Sequence, residues 1–298
     1  MSAGDAPPTD AWRTAGRSAA GARELGVRLA VPGASRREIA EAVEGYVRSH
    51  GAEPAFPANL SRNVEAAHYT PDSADEGRLL LGDLLKVDVG AHVDGAVADT
   101  ADTVEVGGGR RGAHLIAAAR EALAAGVRAV RPGGAVDDVS RAVAEAIRAR
   151  GLNPVRDLTG HSIERYLLHA GKSIPNVPGL SSDRFEVGEI VAIEPFATNG
   201  EGRIASGPFG HIVRFRRPPP AEEVELARLY GRFRTLPFTP RWARGPAERA
   251  ALERGRRLLQ TYPVFLERSG GLVAQAEHTV RVGPAGAEVL TVPEGPGG

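Results

Sequence analysis

Two aspartates in the run Lys86-Val87-Asp88-Val89-Gly90-Ala91-His92-Val93-Asp94-Gly95-Ala96-Val97-Ala98-Asp99-Thr100-Ala101 are spaced so that a hairpin would bring them together. Asp94-Gly95 is a strong hairpin-turn signal, and a two-residue loop fixes the register on either side of it. Val93 then faces Ala96, and Asp88 faces Ala101. Asp99 falls two residues from Ala101, on the same face as Asp88 and roughly 7–8 Å from it across the diagonal. Two carboxylates on a largely apolar hairpin repel each other and resist desolvation, and a cation between them relieves both costs. Asp94 suits the turn, and Asp102 points to the other face, so neither joins the pair.

Two more acids interrupt apolar strand patterns: Glu194 closes Ile190-Val191-Ala192-Ile193, and Glu277 stands inside Leu272–Val280. Either alone marks an edge or a solvent-facing position as readily as a site. Together with Asp88 and Asp99 they make four oxygen donors, and with one histidine the set fits two divalent ions. The sequence has no cysteine, which excludes thiolate metal sites, thiol nucleophiles and disulfides and makes any metal site a hard, oxygen-rich one. Among the eight histidines, His161, His169 and His68 fall in loop-rich segments of interest, but spacing does not separate them from His50, His92 or His114.

These donors are far apart along the chain, so the fold must gather them, and an internal repeat indicates how. Pro32-Gly33 recurs as Pro132-Gly133, and the stripe Ile39, Val43, Val47 recurs as Val139, Val143, Ile147. Both helical patterns end at a glycine followed by a proline, Gly51 with Pro54 and Gly151 with Pro154. Ser35 with Glu38 forms a capping box on the first. Gly82–Asp88 resembles Gly188–Glu194, each a strand-like run ending in a carboxylate, and alanine-rich helical stretches at about 10–30 and 112–130 precede each repeat. The expected architecture is two similar α/β halves facing each other across a cleft. From about residue 214 a Pro-rich connector leads to two helical patterns near 221–233 and 246–260, read as an insert. A final strand pair, Gly271 to Val282 and Ala287 to Val292, should rejoin the main sheet.

The 298 residues, 42% of them hydrophobic, suffice for one large domain or a domain with an insert. Basic and acidic residues balance at 37 each, so no overall field points to nucleic acid or an anionic membrane. The start, Met-Ser-Ala-Gly-Asp, has no basic region followed by an apolar one, and the longest apolar runs are too short for a bilayer of about 30 Å. A soluble, cytoplasmic protein is expected.

Four runs, VDVGAHVDGAVADTA (87–101), LTGHSIERYLLHAGKSIPN (158–176), GEIVAIEPF (188–196) and AQAEHTV (274–280), together resemble methionine aminopeptidases, in order and with sensible gaps. RTLPFTPRW (234–242) and TYP (261–263) resemble the type II branch, and the short start resembles its archaeal members. The resemblance covers nearly the whole chain. It implies a pseudo-two-fold pita-bread fold of the α/β (α+β) class, with residues 1–213 and 268–298 as the catalytic domain and 214–267 as the helical insert of type II. It implies that Asp88, Asp99, His161, Glu194 and Glu277 hold two divalent ions (cobalt, manganese, iron or zinc), with Asp99 and Glu277 bridging, Asp88 on one ion, and His161 with Glu194 on the other. His68, in the HYTP motif, and His169 would contact the substrate beside the metals, and Glu194 would shuttle the proton. Phe56, His211, Pro237 and Tyr262 would line the methionine pocket. The implied activity is removal of the initiator methionine from nascent proteins, by a monomer with the ribosome as a further contact and no membrane or specific nucleic-acid partner.

Two other readings share this fold. A non-catalytic RNA- or protein-binding relative would be expected to have lost metal ligands, whereas all five matching positions are present here. The arginines of the insert are interspersed with glutamates and read most simply as solvated helix faces. A proline-specific peptidase is disfavoured by the insert and by the HYTP motif.

Overall fold

The computed structural model describes residues 9–293; the Met-Ser-Ala-Gly-Asp start discussed above lies outside the described residues. Two helix pairs appear where the repeat places them: α1 (Thr9–Leu29) with α2 (Arg36–Ser49), and α3 (Ala113–Ala129) with α4 (Val136–Arg148). The α2 stripe buries Ile39, Val43 and Val47, and the α4 stripe buries Val139, Val143 and Ile147. Ser35 caps α2 by accepting from the Glu38 backbone N–H.

The two halves match in packing as well as in order. A Cβ on Gly26 of α1 would lie 2.6 Å from Val87 and 3.1 Å from Val43. A Cβ on Gly126 of α3, one hundred residues on, would lie 3.0 Å from Val143 and 3.1 Å from Ile193. In each half a missing side chain lets the alanine-rich helix press against its partner helix and its strand. The sequence repeat is therefore a repeat of tertiary contacts.

The main sheet has nine strands. Its path runs Glu53–Pro54, Leu84–Val93, Ala96–Glu105, Glu277–Gly283, Ile190–Ile193, Thr159–Ile163 and Ser173–Pro175, with Asn59–Arg62 and Gly286–Val289 pairing off the path. Neighbouring strands along this path pair antiparallel. The strand Glu277–Gly283 is the seam between the two halves, so the late strand pair rejoins the main sheet from Glu277 onward, as Glu277–Gly283 with Gly286–Val289, while the first part of the run expected from Gly271 does not. Val87 and Val89 pack into the core under α1 and α2, which turns Asp88 to the opposite, front face. Glu277 and Gln275 belong to different sheets: Val273–Gln275 pairs with Phe196–Thr198, and the chain crosses into the main sheet at Ala276.

Beyond Phe215 the chain forms α5 (Val224–Phe233) and α6 (Gly245–Arg254), packed in their own apolar cluster of Val213, Phe215, Leu226, Leu229, Phe238, Ala251 and Leu252. The second helix is shorter than its pattern, which ran to residue 260. It ends at Arg254, and Leu259–Glu267 is a strand paired with Ile204–Phe215. Gly255 stops the helix against Leu226, a short 3-10 turn follows at Arg256–Leu258, and strand pairing takes the residues from Leu259 on. Among the described residues no helix is long and apolar enough to cross a membrane.

Candidate metal centre

The hairpin register is the one the turn dictates. Val93 pairs with Ala96, Gly90 with Asp99 and Asp88 with Ala101. Asp94 and Gly95 both take positive φ, 48° and 85°, the combination of a type I′ turn. On the next strand Glu277 pairs with Ala101, and beyond it His278 pairs with Ile193, the residue before Glu194. His161 pairs with Ala192 on the strand after that. Asp88, Asp99, Glu277, Glu194 and His161 thus arrive at one place from five strands or strand ends.

Side-chain hydroxyls lock this register where few backbone pairs are made. Thr279 Oγ1 accepts from the Asp99 N–H at 2.7 Å and donates to the Asp99 carbonyl at 2.8 Å. Thr100 Oγ1 donates to the Glu277 carbonyl at 2.8 Å.

At the centre, His161 Nε2 lies 3.5 Å from Glu194 Oε1 and 3.7 Å from Asp99 Oδ2. One donor atom each from Asp99, His161 and Glu277 lie within 4.8 Å of one another. Asp99 and His161 are each 5% exposed and Glu277 is 1% exposed. Asp88 contacts Asp99 and Gln275. Buried carboxylate oxygens without any hydrogen-bond partner concentrate here: Asp88 Oδ1, Asp99 Oδ1 and Glu277 Oε1. Unsatisfied buried polar atoms are rare and costly, so three acceptor oxygens in one cluster fit a positively charged partner.

The electrostatics agree. Burial pushes the Asp99 carboxyl well above the usual range, and Glu277 and Asp88 add repulsion. Glu277 is raised by burial and then by Glu194 and Asp88. Glu194 is raised by burial and then by Asp99 and Asp88. Asp88 is lifted to about 7, chiefly by burial. His161 is held neutral by burial and by the neighbouring His169. Four carboxylates that resist ionisation beside a neutral imidazole form a hard, oxygen-rich donor set, and its chemistry fits divalent cations.

This cluster floors a cavity of about 230 Å³. The wall includes Phe56, His68, Leu168, His169, Ile212, Pro237, Tyr262 and Phe265. The Phe56 ring lies on the strand at Gly90, where a Cβ would come within 2.2 Å of it. His68, in a left-handed conformation (φ 66°), stands 4.6 Å from the Phe265 ring and meets Tyr262 edge-on. Its Nδ1 is buried and unpaired, and burial together with His169 lowers its pKa to about 4. The His169 ring lies 4.4 Å from that of His161 and is likewise held to about 4, by burial and by Arg214.

Of the residues singled out from sequence, one lies apart. His211 is not in the cavity wall; its Nδ1 is 3.9 Å from Asp72 and its ring is against Phe209. A strand irregularity between Phe209 and Ile212 and a positive φ of 59° at His211 turn that imidazole away, and Ile212, opposite Tyr262, takes the wall position. Sequence reasoning also missed Gln275, whose Nε2 donates to Glu277 Oε2 at 3.0 Å, and Asn59, which pairs with Asp88 and lines the cavity. Gln275 stands two residues before Glu277 across the sheet change, so simple alternation gave no signal for it.

Comparison with known proteins is consistent with this geometry. A family model described as metallopeptidase family M24 matches residues 10–282. The methionine aminopeptidase of Pyrococcus abyssi is 44% identical over 279 residues, 90% of this chain and 94% of that protein. The methionine aminopeptidase of Methanothermobacter thermautotrophicus is 42% identical over 265 residues, covering 85% and 89% of the two chains. The crystal structure of the Thermotoga maritima methionine aminopeptidase superposes with a TM-score of 0.73 at 25% identity, over 97% of this chain and 98% of that one.

Proposed function

We infer that this chain, which belongs to metallopeptidase family M24, is a metal-dependent aminopeptidase that removes the N-terminal methionine from new proteins. The observation that carries the reading is the set of buried, unpaired carboxylate oxygens beside the His161 imidazole on the floor of a cavity with an apolar wall. We propose that Asp88, Asp99, His161, Glu194 and Glu277 would hold two divalent cations, cobalt, manganese, iron or zinc, with Asp99 and Glu277, the most deeply buried of the carboxylates beside His161, essential to the binding of both. Bound there, the cations supply Lewis acidity, which brings the pKa of a water molecule towards neutrality and polarises the first peptide carbonyl.

The chain's own groups do the rest. Glu194, on the cavity floor, takes the proton that the attacking water loses and hands it to the leaving amine. His169, neutral beside the floor, donates a hydrogen bond to the developing oxyanion. His68 contacts the leaving-group amide. Phe56, Ile212, Pro237 and Tyr262 offer an apolar wall to the methionine side chain. Such a pocket separates near-isosteres by only about 1–3 kcal/mol per methylene, so weak cleavage of leucyl peptides is expected.

Residues 214–267 form, on this reading, an insert subdomain on a catalytic domain made of 1–213 and 268–298, acting in the cytoplasm on chains emerging from the ribosome. The test is an assay of metal-free protein on Met-Ala-Ser and Ala-Pro peptides, with metals restored one at a time. Metal-dependent release of methionine alone supports the proposal; preferential cleavage of the proline peptide overturns it.

A further inference from the structure

Residues 234–242 of the insert form a strap whose two ends are fastened to two different segments that carry cavity-wall residues. At the first end, the Thr235 hydroxyl donates to the Tyr166 carbonyl, and the Arg234 guanidinium stands 4.2 Å from the Tyr166 ring. Tyr166 belongs to the segment carrying Leu168 and His169, and its own N–H donates to the Gly95 carbonyl of the hairpin turn at 2.8 Å. The loop that presents His169 is therefore held between the turn and the strap.

At the far end, Arg241 makes a two-pronged ion pair with Glu44 of α2, at 2.7 and 3.0 Å. The indole N–H of Trp242 donates to the same carboxylate at 2.8 Å, and Arg241 Nε donates to the Pro71 carbonyl at 3.2 Å. Glu44 also accepts from the Ala58 N–H at 3.3 Å, in the segment that bears Phe56 and Asn59. The ion-paired side chains are 7% and 3% exposed.

Between these anchors the strap reaches the cavity itself. Leu236 shares one buried cluster with Phe56 and Leu168, a residue from each wall. Pro237 lines the cavity, and Phe238 exchanges two backbone hydrogen bonds with Val213, the neighbour of Ile212. A buried ion pair is weak evidence for net stability, because desolvation offsets most of its attraction. A planar guanidinium held by both carboxylate oxygens does, however, fix geometry to a fraction of an ångström.

We propose that the 234–242 strap sets the width of the pocket that receives the first residue's side chain, with Glu44, Arg241 and Thr235 as positioning residues for selectivity. This rests on the reading above, that the cavity takes an N-terminal methionine. Release of either end lets the Phe56 wall and the Leu168–His169 wall separate, so methionine fits less closely and bulkier side chains enter.

The test uses the metal-loaded full chain and the variants Arg241→Lys, which keeps the charge and loses the fork, and Thr235→Val, which loses the hydroxyl at similar volume. Thr235 is only half-buried, so its variant folds even if Arg241→Lys does not. On Met-Ala-Ser the expected KM rises about tenfold with kcat within about twofold, and the preference for Met-Ala-Ser over Phe-Ala-Ser falls about tenfold. Thr235→Ser restores wild-type values, and amide exchange over 164–171 quickens in Thr235→Val and over 55–59 in Arg241→Lys. Unchanged selectivity in folded variants, or an equal loss on every peptide with unchanged exchange, overturns the proposal. A wild-type protein that cleaves no methionyl peptide overturns the substrate reading instead, and the exchange rates then decide alone whether the strap holds the walls.

Discussion

The floor and the wall of the cavity are built in different ways. The floor takes its donors from antiparallel strands and their ends, where register fixes each side chain: Asp88 and Asp99 on the hairpin, Glu277 beside Ala101, and Glu194 and His161 from the second half. The wall comes from loops, strand irregularities and the insert: Phe56, His68, His169, Ile212 and Pro237. A strand cannot slip by one residue without turning its donors to the helix side, whereas a loop can shift locally. The difference teaches that damage to the floor should abolish the chemistry and damage to the wall should retune it.

The largest expected effect is on the floor. Asp99→Ala and Glu277→Ala should lose bound metal and at least about 10³-fold of activity together, because each carboxylate is proposed as essential to the binding of both ions. Normal metal content in either variant breaks the division. On the wall, His169→Ala should keep its metal and lose about 10²-fold in kcat, the scale of one lost donor to an oxyanion. An unchanged rate would remove that histidine from the mechanism. Phe56→Ala should raise KM for a methionyl peptide about tenfold with metal content intact. Urea unfolding of the same variant should show about 3 kcal/mol lost, as for a large buried ring. A drop in metal content there would mean the wall also supports the floor.

The smallest effect is a pH dependence of the metal-free protein. Burial lifts Asp88 to about 7 and raises Asp99, Glu194 and Glu277, so the folded chain keeps protons that the unfolded chain gives up near pH 4. A raised folded-state pKa contributes stability that is fully present below about pH 4 and is lost as pH rises through about 7. Metal binding must displace those protons and so strengthens across the same range. Thermal melts from pH 4 to 8 should show the gap between metal-loaded and metal-free protein widening with pH. A constant gap would mean that the buried carboxylates are not the ligands.

Legibility in the sequence follows the same division. The Asp88 and Asp99 pair could be read because Asp94-Gly95 fixes a register and the side-chain period of two does the rest. The helix repeat is equally plain in the stripes Ile39, Val43, Val47 and Val139, Val143, Ile147, and the structure extends it to the packing of Gly26 and Gly126. Glu277 stands out as an acid inside an apolar strand pattern, but no register can be read for it because it and Gln275 straddle a change of sheet; the resemblance gives Glu277 its ligand role, and nothing in the sequence marks Gln275. The resemblance offers His211 for the wall, and nothing in the sequence announces the irregularity that brings Ile212 inward instead. The helix expected to reach residue 260 failed for a related reason: strand pairing at Leu259 overrides local propensity.

The central claim is best tested by anomalous diffraction from crystals of the protein grown with manganese. Two peaks among Asp88, Asp99, His161, Glu194 and Glu277 are the predicted result. Peaks elsewhere, or a floor whose carboxylates pair with one another and hold no ion, would contradict it.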